Sequence, residues 1–289
     1  MIAEEAQLPS PAFETAWDAI KVDNGVKDRL VAQALLSLQL RQNFSFEQMP
    51  VHGLIVLAGP PGTGKTTLAR GLANQVAKAL KASAKTRYLQ IDPHAMASGS
   101  LGKSQNQVAR LFDQVIAERA AHGPCIVLLD EVETIAADRQ KLSLEANPID
   151  VHRATDAALA GLDVLCRQHR NVLVLATTNF PKALDKAFLS RADCVEDIGL
   201  PSDAARRDII NDALDQLASR WPQLAKLKTG VSGLVKSSVG LDGRRLRKAI
   251  TFAAACTVET ARDPSQLTAQ QLLTAVQTAA KVQAMLEAA

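Results

Sequence analysis

The stretch Gly59-Pro60-Pro61-Gly62-Thr63-Gly64-Lys65-Thr66 limits the folds open to this chain more than any other. Its Gly-x-x-x-x-Gly-Lys-Thr spacing lets a backbone wrap closely round phosphate oxygens, an approach that a Cβ would block. The flanks support the reading. Leu54-Ile55-Val56-Leu57-Ala58, bounded by Gly53 and Gly59, is a short apolar run and predicts a buried strand. Thr66 to Val76 carries apolar residues three and four apart and predicts a helix. The loop therefore joins a strand to a helix N-terminus, where unsatisfied N–H groups and the helix dipole favour an anion. Lys65 is placed to reach the β and γ phosphates of a nucleotide, and the Thr66 hydroxyl to ligate Mg²⁺. Gly59, Pro60, Pro61, Gly62, Thr63, Gly64, Lys65, Thr66 and Thr67 are the expected nucleotide-binding residues.

Further apolar runs at Thr86–Ile91, Cys125–Leu129, Val172–Thr177 and Cys194–Ile198 alternate with helical patterns. Aromatic residues make up only 3% of the chain, so the core must be Leu, Val, Ile and Ala, which suits helices packed on a buried parallel sheet. After Gly199-Leu200-Pro201 only helical signals remain, and Thr268-Ala269-Gln270-Gln271 is a capping box opening a last helix. The expected fold class is α/β: a five-stranded parallel sheet with a smaller C-terminal helical domain. The expected division is 1–24 as an N-terminal arm and linker, 25–200 as the large α/β domain and 201–289 as the small helical one. Residues 1–16 are polar and carry Pro9 and Pro11, which predicts a loose arm.

Charge and cysteine usage exclude several classes. The 33 basic and 30 acidic residues give a formal net charge of +3, too balanced to argue for nucleic acid. Cys125, Cys166, Cys194 and Cys256 are far apart and form no Cys-x-x-Cys pair, so they read as small buried hydrophobes rather than zinc ligands. No apolar run approaches the roughly 20 residues that span a membrane. The start, Met1-Ile2-Ala3-Glu4-Glu5, lacks the basic and apolar regions of a signal peptide. A cytoplasmic protein is expected.

Four further positions carry chemistry. The run Cys125–Leu129 ends in Asp130-Glu131, and a parallel strand delivers its last residues to the same sheet edge as the phosphate loop. There Asp130 completes a Mg²⁺ shell and Glu131 polarises an attacking water. The alternative, a helix start with two capping carboxylates, is disfavoured by the apolar strand before the pair. Asn179 follows the next buried strand and is placed to hydrogen-bond the water or the γ-phosphate; the alternative is a turn residue before Pro181. Arg191 is the one cation in Ser190-Arg191-Ala192-Asp193-Cys194. Its guanidinium reaching a neighbouring copy's γ-phosphate would stabilise transition-state charge, although the residues alone favour an ion pair with Asp193. Arg244, in the basic stretch Gly240–Lys248, is placed to reach the phosphates from the helical domain. A solvated basic face and a nucleic-acid patch compete with that role. The lack of interleaved aromatics counts against the patch.

Together these residues resemble the AAA+ ATPases. The resemblance puts Lys65 at the phosphate-loop lysine, Asp130-Glu131 at the Walker B pair, Asn179 at sensor 1, Arg191 at the arginine finger and Arg244 at sensor 2. It narrows through Leu129-Asp130-Glu131-Val132-Glu133-Thr134, Ala176-Thr177-Thr178-Asn179, Phe188-Leu189-Ser190-Arg191-Ala192-Asp193 and Ile198-Gly199-Leu200-Pro201-Ser202. These strings are similar to the thyroid-receptor-interacting-protein (Trip/Pch) branch, and the likeness runs from residue 17 to residue 260. It implies a homo-hexameric ring with ATP and Mg²⁺ between subunits, and a HORMA-domain protein as substrate, opened by pulling a terminal segment through the pore. For bacterial relatives it also implies a cGAS-like nucleotidyltransferase whose anti-phage signal the ring shuts off. Only about 50 residues precede Leu54, too few for the recruiting domain of eukaryotic members. A short bacterial type, or recruitment by the ring itself, is expected. The branch's pore-loop aromatic falls near Ser100-Leu101, where Leu101 is the bulky apolar residue between Gly99 and Gly102. Leu101 is the expected gripping residue, with a plain surface loop as the alternative. The adenine pocket is expected at Ile20 and its neighbours.

Three functions compete. The leading one is an ATP-driven remodeller of a HORMA-domain protein. A nucleic-acid-associated AAA+ ATPase, of clamp-loader or transposition-helper type, predicts DNA-stimulated turnover and steep salt dependence; the balanced charge counts against it. A nucleotide sensor without useful turnover is the third, and the presence of Glu131, Asn179 and Arg191 counts against that.

Overall fold

Strand β1 (Ile2–Leu8) precedes the five strands formed by the apolar runs: β2 (Leu54–Ala58), β3 (Thr86–Ile91), β4 (Cys125–Leu129), β5 (Val172–Thr178) and β6 (Cys194–Asp197). The computed structural model describes residues 2–80, 85–92, 103–137 and 148–288. The strands join in the order β1-β3-β4-β5-β2-β6. All neighbours are parallel except β1, which runs antiparallel to β3. The five expected parallel strands are therefore present, with a sixth added at one edge. By its contacts the chain divides into two compact units. The first comprises Met1–Ile20, Gly25–Gly59 and Lys65–Ile198; the second comprises Lys21–Asn24, Pro60–Gly64 and Gly199–Ala289.

In the first unit, β2, β4 and β5 are buried along their whole length, as the unbroken apolar runs require. Alternate residues of each strand serve the two faces. Leu54 and Val56 of β2, Val127 and Leu129 of β4, and Val174 and Ala176 of β5 share one core cluster. That cluster includes Val108 of α4 (Lys103–Arg110), Ile116, and Leu159 and Leu162 of α6 (Pro148–Gln168). Between α4 and the short α5 (Ala117–Ala120) lies a π-helical stretch, Leu111–Ile116, which turns Leu111, Phe112 and Ile116 all inward. Phe112 lies directly on Gly161 of α6: a Cβ there would fall 2.4 Å from the ring. On the other side, α2 (Val26–Asn43) and α3 (Lys65–Leu80) both pack on β5.

The expected loose arm is instead ordered. Ile2, Glu4, Ala6 and Leu8 turn inward while Ala3, Glu5 and Gln7 are exposed, the period-two pattern of an edge strand. The polar residues that suggested an arm make specific bonds. Glu4 pairs with Arg70 of α3, whose guanidinium lies 4.5 Å from the Phe13 ring centre. Helix α1 (Pro11–Ala19) is bolted to α3 as well. The Ser10 N–H donates to Asn74 Oδ1 at 2.8 Å, and Asn74 Nδ2 donates to Glu14 at 2.7 Å. Trp17 packs on Gly71 so closely that a Cβ there would lie 2.7 Å from its backbone. Phe13 is 2% exposed, and burying such a ring is worth roughly 1.5–3 kcal/mol. Residues 2–16 are thus ordered rather than a loose arm.

The second unit is helical, as its sequence predicts. Its core joins Ile209, Ile210 and Leu214 of α8 (Asp203–Ala218), which follows the short α7 (Lys186–Leu189) of the first unit in the sequence, to Leu234 of α9 (Val231–Ser237), Leu246 and Ile250 of α10 (Gly243–Thr251), and, after the short α11 (Val258–Arg262), Leu272 and Val276 of α12 (Ala269–Ala288). The Thr268 capping box forms in both directions. The Gln271 N–H donates to Thr268 Oγ1 at 3.2 Å, and the Thr268 N–H to Gln271 Oε1 at 2.9 Å. No helix among the described residues is long and apolar enough to cross a membrane. Leu101 lies outside the described residues.

Candidate functional site

The strand order places the C-terminal end of β5 between the ends of β2 and β4. Register then decides which side chains meet. Ala58 is level with Thr178, and Leu129 with Ala176. Asn179 consequently lies between the residues that follow β2 and those that follow β4. Lys65 is 5% exposed, and a buried ammonium needs acceptors. Its Nζ donates to the Gly59 carbonyl and to Asn179 Oδ1, each at 2.8 Å. The Asn179 Nδ2 donates to Glu131 Oε1 at 3.3 Å, and its backbone N–H to Glu133 Oε1 at 3.2 Å. One amide therefore bridges the lysine and the glutamate. In the loop, Gly59, Gly62 and Gly64 all have positive φ. At Gly59 a Cβ would fall 2.2 Å from the Ile198 carbonyl oxygen, so the tight path is closed to any other residue.

Two hydroxyls hold the carboxylate after β4. Asp130 Oδ1 accepts from Thr66 Oγ1 at 2.8 Å and from Thr177 Oγ1 at 2.5 Å. The Thr177 oxygen also accepts the Glu131 N–H at 3.1 Å. Glu131 itself is left-handed, with φ 53° and ψ 53°, the only non-glycine with positive φ among the described residues. Such a conformation costs an L-residue roughly 1–2 kcal/mol. Thr66 and Asp130 bring two hard oxygen donors together, the donor set that Mg²⁺ prefers beside substrate phosphates.

Arg191 belongs to a different corner of the same unit. Its Nε and Nη2 each donate at 2.8 Å to the two carboxylate oxygens of Asp163 on α6, and its Nη1 donates to the Ala187 carbonyl at 2.9 Å. The expected partner, Asp193, is engaged elsewhere: it accepts the His52 and Gly53 N–H groups at 2.9 and 2.7 Å. The bidentate guanidinium holds the Asp163 carboxyl below its usual range, and Asp163 in turn raises Arg191. His52 Nε2 lies 3.5 Å from Asp163 Oδ1. Burial pushes the His52 imidazole below its usual value, against the opposing pull of Asp193 and Asp163.

A sequence model of the ATPase family associated with various cellular activities (AAA) matches residues 55–200, which hold Lys65, Thr66, Asp130, Glu131, Asp163, Thr177, Asn179 and Arg191. This chain belongs to the AAA ATPase family. Membership carries nucleotide binding and ATP hydrolysis with it. Among relatives of this AAA ATPase is CD-NTase-associated protein 6 of Pseudomonas aeruginosa, 48% identical over 94% of this chain and 90% of its own length. A putative pachytene checkpoint protein 2 of Caenorhabditis elegans is 36% identical over 73% of this chain but only 50% of its own length. Among solved structures, C. elegans PCH-2 superposes with a TM-score of 0.77 at 28% identity, covering 97% of this chain and 75% of that one. A chain of the Escherichia coli MS115-1 HORMA:CdnC:Trip13 complex shares the fold, with a TM-score of 0.73 at 22% identity, covering 95% and 94%.

The remaining expected site residues of this AAA ATPase fall in both units. Arg244 is exposed in the first turn of α10 within the second unit. Its N–H donates to the Gly62 carbonyl at 3.3 Å, and Asp242 caps the helix through the Arg245 N–H. Arg245 and Arg247 pair with Asp242 and Asp212, so the basic stretch is partly neutralised. Thr63 is buried and donates to the Pro60 carbonyl at 3.0 Å. Ile20 is half-buried, in extended conformation at the end of α1. Sequence reasoning did not single out Thr177, Glu133 or Asp163. Glu133 and Thr177 stood within the quoted strings, and their roles follow only from the sheet register. Asp163 looks like any polar residue on an amphipathic helix.

Proposed function

We propose that this AAA ATPase is a Mg²⁺-dependent, homo-hexameric ring that opens a closed HORMA-domain protein, disassembles its complexes, and thereby regulates a cGAS-like nucleotidyltransferase in anti-phage signalling. The observation that carries the reading is the joined constellation of Lys65, Asn179 and Glu131 beside Thr66 and Asp130, in a chain 48% identical to a CD-NTase-associated protein over nearly its whole length. In this reading Lys65 neutralises the β and γ phosphates of ATP. Thr66 and Asp130 hold Mg²⁺, which supplies positive charge to the same phosphates. Glu131 polarises the attacking water and Asn179 orients it. Arg191 serves the site of a neighbouring copy, and Arg244 reports nucleotide state to the helical unit. Ile20 contributes to the adenine pocket. Leu101 grips the threaded segment, on the sequence alone. The location is cytoplasmic.

The test is ATP turnover of the purified chain with a HORMA-domain protein, with DNA, and with neither. Turnover is expected to rise with the HORMA-domain protein and to ignore DNA. Stimulation by DNA alone, falling steeply with salt, would replace this reading with a nucleic-acid ATPase.

A further inference from the structure

We infer that Thr177 is a positioning residue for hydrolysis, which fixes the geometry of Asp130 and Glu131 through a single hydroxyl. The stoichiometry of that hydroxyl is the starting point. It has one proton to give and lone pairs to receive with. The proton goes to Asp130 Oδ1 at 2.5 Å, and a lone pair receives the Glu131 N–H at 3.1 Å. Adjacent residues with different duties are thus held from one point on the neighbouring strand. Thr177 is 2% exposed on β5, which is paired on both sides, so that point does not move with solvent-exposed loops.

The bond to Glu131 bears on its backbone. Glu131 leaves β4 in the left-handed region, where no other described non-glycine residue goes. A left-handed residue persists where its surroundings over-determine it. Here the N–H is fixed by Thr177, and the Glu131 carbonyl accepts the Thr134 N–H at 3.1 Å. Without the hydroxyl, the N–H loses this acceptor and the chain relaxes toward an ordinary conformation, which swings the carboxylate away from Asn179.

The bond to Asp130 bears on the metal site. Asp130 Oδ1 accepts two hydroxyls, from Thr66 and Thr177. Thr66 can keep its proton on Asp130 while a lone pair faces a cation. Thr177 has no such second task, so it orients the carboxylate whether or not a cation is bound. Groups that orient a metal-holding carboxylate are worth about 10- to 100-fold in metal affinity or activity. Thr177 touches neither nucleotide nor water in this scheme, and it acts through Asp130 and Glu131.

This inference rests on the roles proposed above for Asp130 and Glu131, and its test separates the two. Thr177→Val removes the hydroxyl and keeps the shape; Thr177→Ser keeps the hydroxyl. For Thr177→Val, kcat is expected to fall about 10- to 100-fold and the Mg²⁺ concentration for half-maximal turnover to rise about 10-fold. Binding of a fluorescent ATP analogue in EDTA is expected to stay within about 2-fold, because Lys65 and the loop are untouched. Thr177→Ser should restore kcat and the Mg²⁺ midpoint to within about 3-fold of the parent. Parental kcat and Mg²⁺ midpoint in Thr177→Val overturn the inference, as does a Thr177→Ser variant no better than Thr177→Val. Equal loss of analogue binding with and without Mg²⁺ also overturns it, since that marks general collapse of the site. If Thr177→Val does not fold, Thr177→Ala carries the same expectations. Glu131→Gln is assayed alongside. Normal turnover there removes the base assignment itself, whereas an inactive Glu131→Gln beside a fully active Thr177→Val removes only the role of Thr177.

Discussion

Two corners of the first unit hold their charges in opposite ways. At the ends of β2, β4 and β5, Lys65, Asn179, Glu131 and, through Thr177, Asp130 are gathered by neighbouring strands into one continuous hydrogen-bonded set. At the corner before β6, Arg191 is turned into its own unit and clasped by Asp163. The first arrangement is already poised for phosphates. The second is occupied by an internal carboxylate, so Arg191 can serve a neighbour only if a stronger anion displaces Asp163. A triphosphate with its several negative charges is such an anion. The difference teaches that parallel strand ends can join their side chains into one hydrogen-bonded set within a chain, while the arginine proposed to serve another copy is satisfied by a carboxylate of its own chain.

The largest expected effects fall on the first corner. Lys65→Ala should abolish nucleotide binding by calorimetry. Glu131→Gln should retain binding and lower kcat by about 10²- to 10⁴-fold, the range for loss of a general base. Normal hydrolysis in that variant would weaken the contrast, because the gathered set would then have no general base. Next comes Arg191→Ala. If Arg191 acts on a neighbour, kcat falls by about 10³-fold or more with nucleotide affinity unchanged. If it is only an internal ion pair, turnover is kept and stability drops by no more than about 1 kcal/mol, since both partners are partly exposed.

Asp163→Asn sharpens the comparison from the other side. It keeps the side-chain shape and removes the charge that holds Arg191. Turnover is expected to rise about 2- to 3-fold at protein concentrations where copies are only partly assembled. Unchanged turnover at every concentration would mean that Asp163 does not restrain Arg191.

The smallest effect is on pH. Asp163 titrates below the usual 3.8, so its contribution to stability is present above that value and lost only as pH falls through its lowered native value. Near neutrality the responsive group among the described residues is His52, which burial holds below the usual 6.5. The unfolded chain then binds a proton more readily than the native one, so stability is full above 6.5 and declines as pH falls below it. The melting temperature should fall as pH is lowered from 7 toward 5, and His52→Gln should flatten that slope. An equal slope in the variant would place the sensitivity elsewhere.

Much of the candidate site was legible in the sequence because its signals are contiguous. The glycines and lysine of the loop, and the acidic pair after an apolar run, lie within a few residues of one another. The edge strand was not legible. Ile2-Ala3-Glu4-Glu5-Ala6-Gln7-Leu8 looks like a polar arm until Arg70 and Arg87, which receive its glutamates, are brought beside it. The partner of Arg191 was misjudged for a related reason: proximity in sequence suggested Asp193, whereas the helix carries Asp163 to the guanidinium from 28 residues away. The sheet edge had already committed Asp193 to the backbone before β2.

By itself the sequence determined that this chain builds a phosphate-cradling loop on a buried parallel sheet, with an acidic strand end and a helical C-terminal unit. Those properties depend on backbone freedom, side-chain chemistry and the period of apolar residues, all of them local. Only the tertiary structure decided that β5 lies between β2 and β4, that Thr177 meets Asp130 and Glu131, and that Arg191 rests on Asp163. Strand order and register are settled by how whole faces pack, and that sum over distant residues is written in no single stretch of the chain.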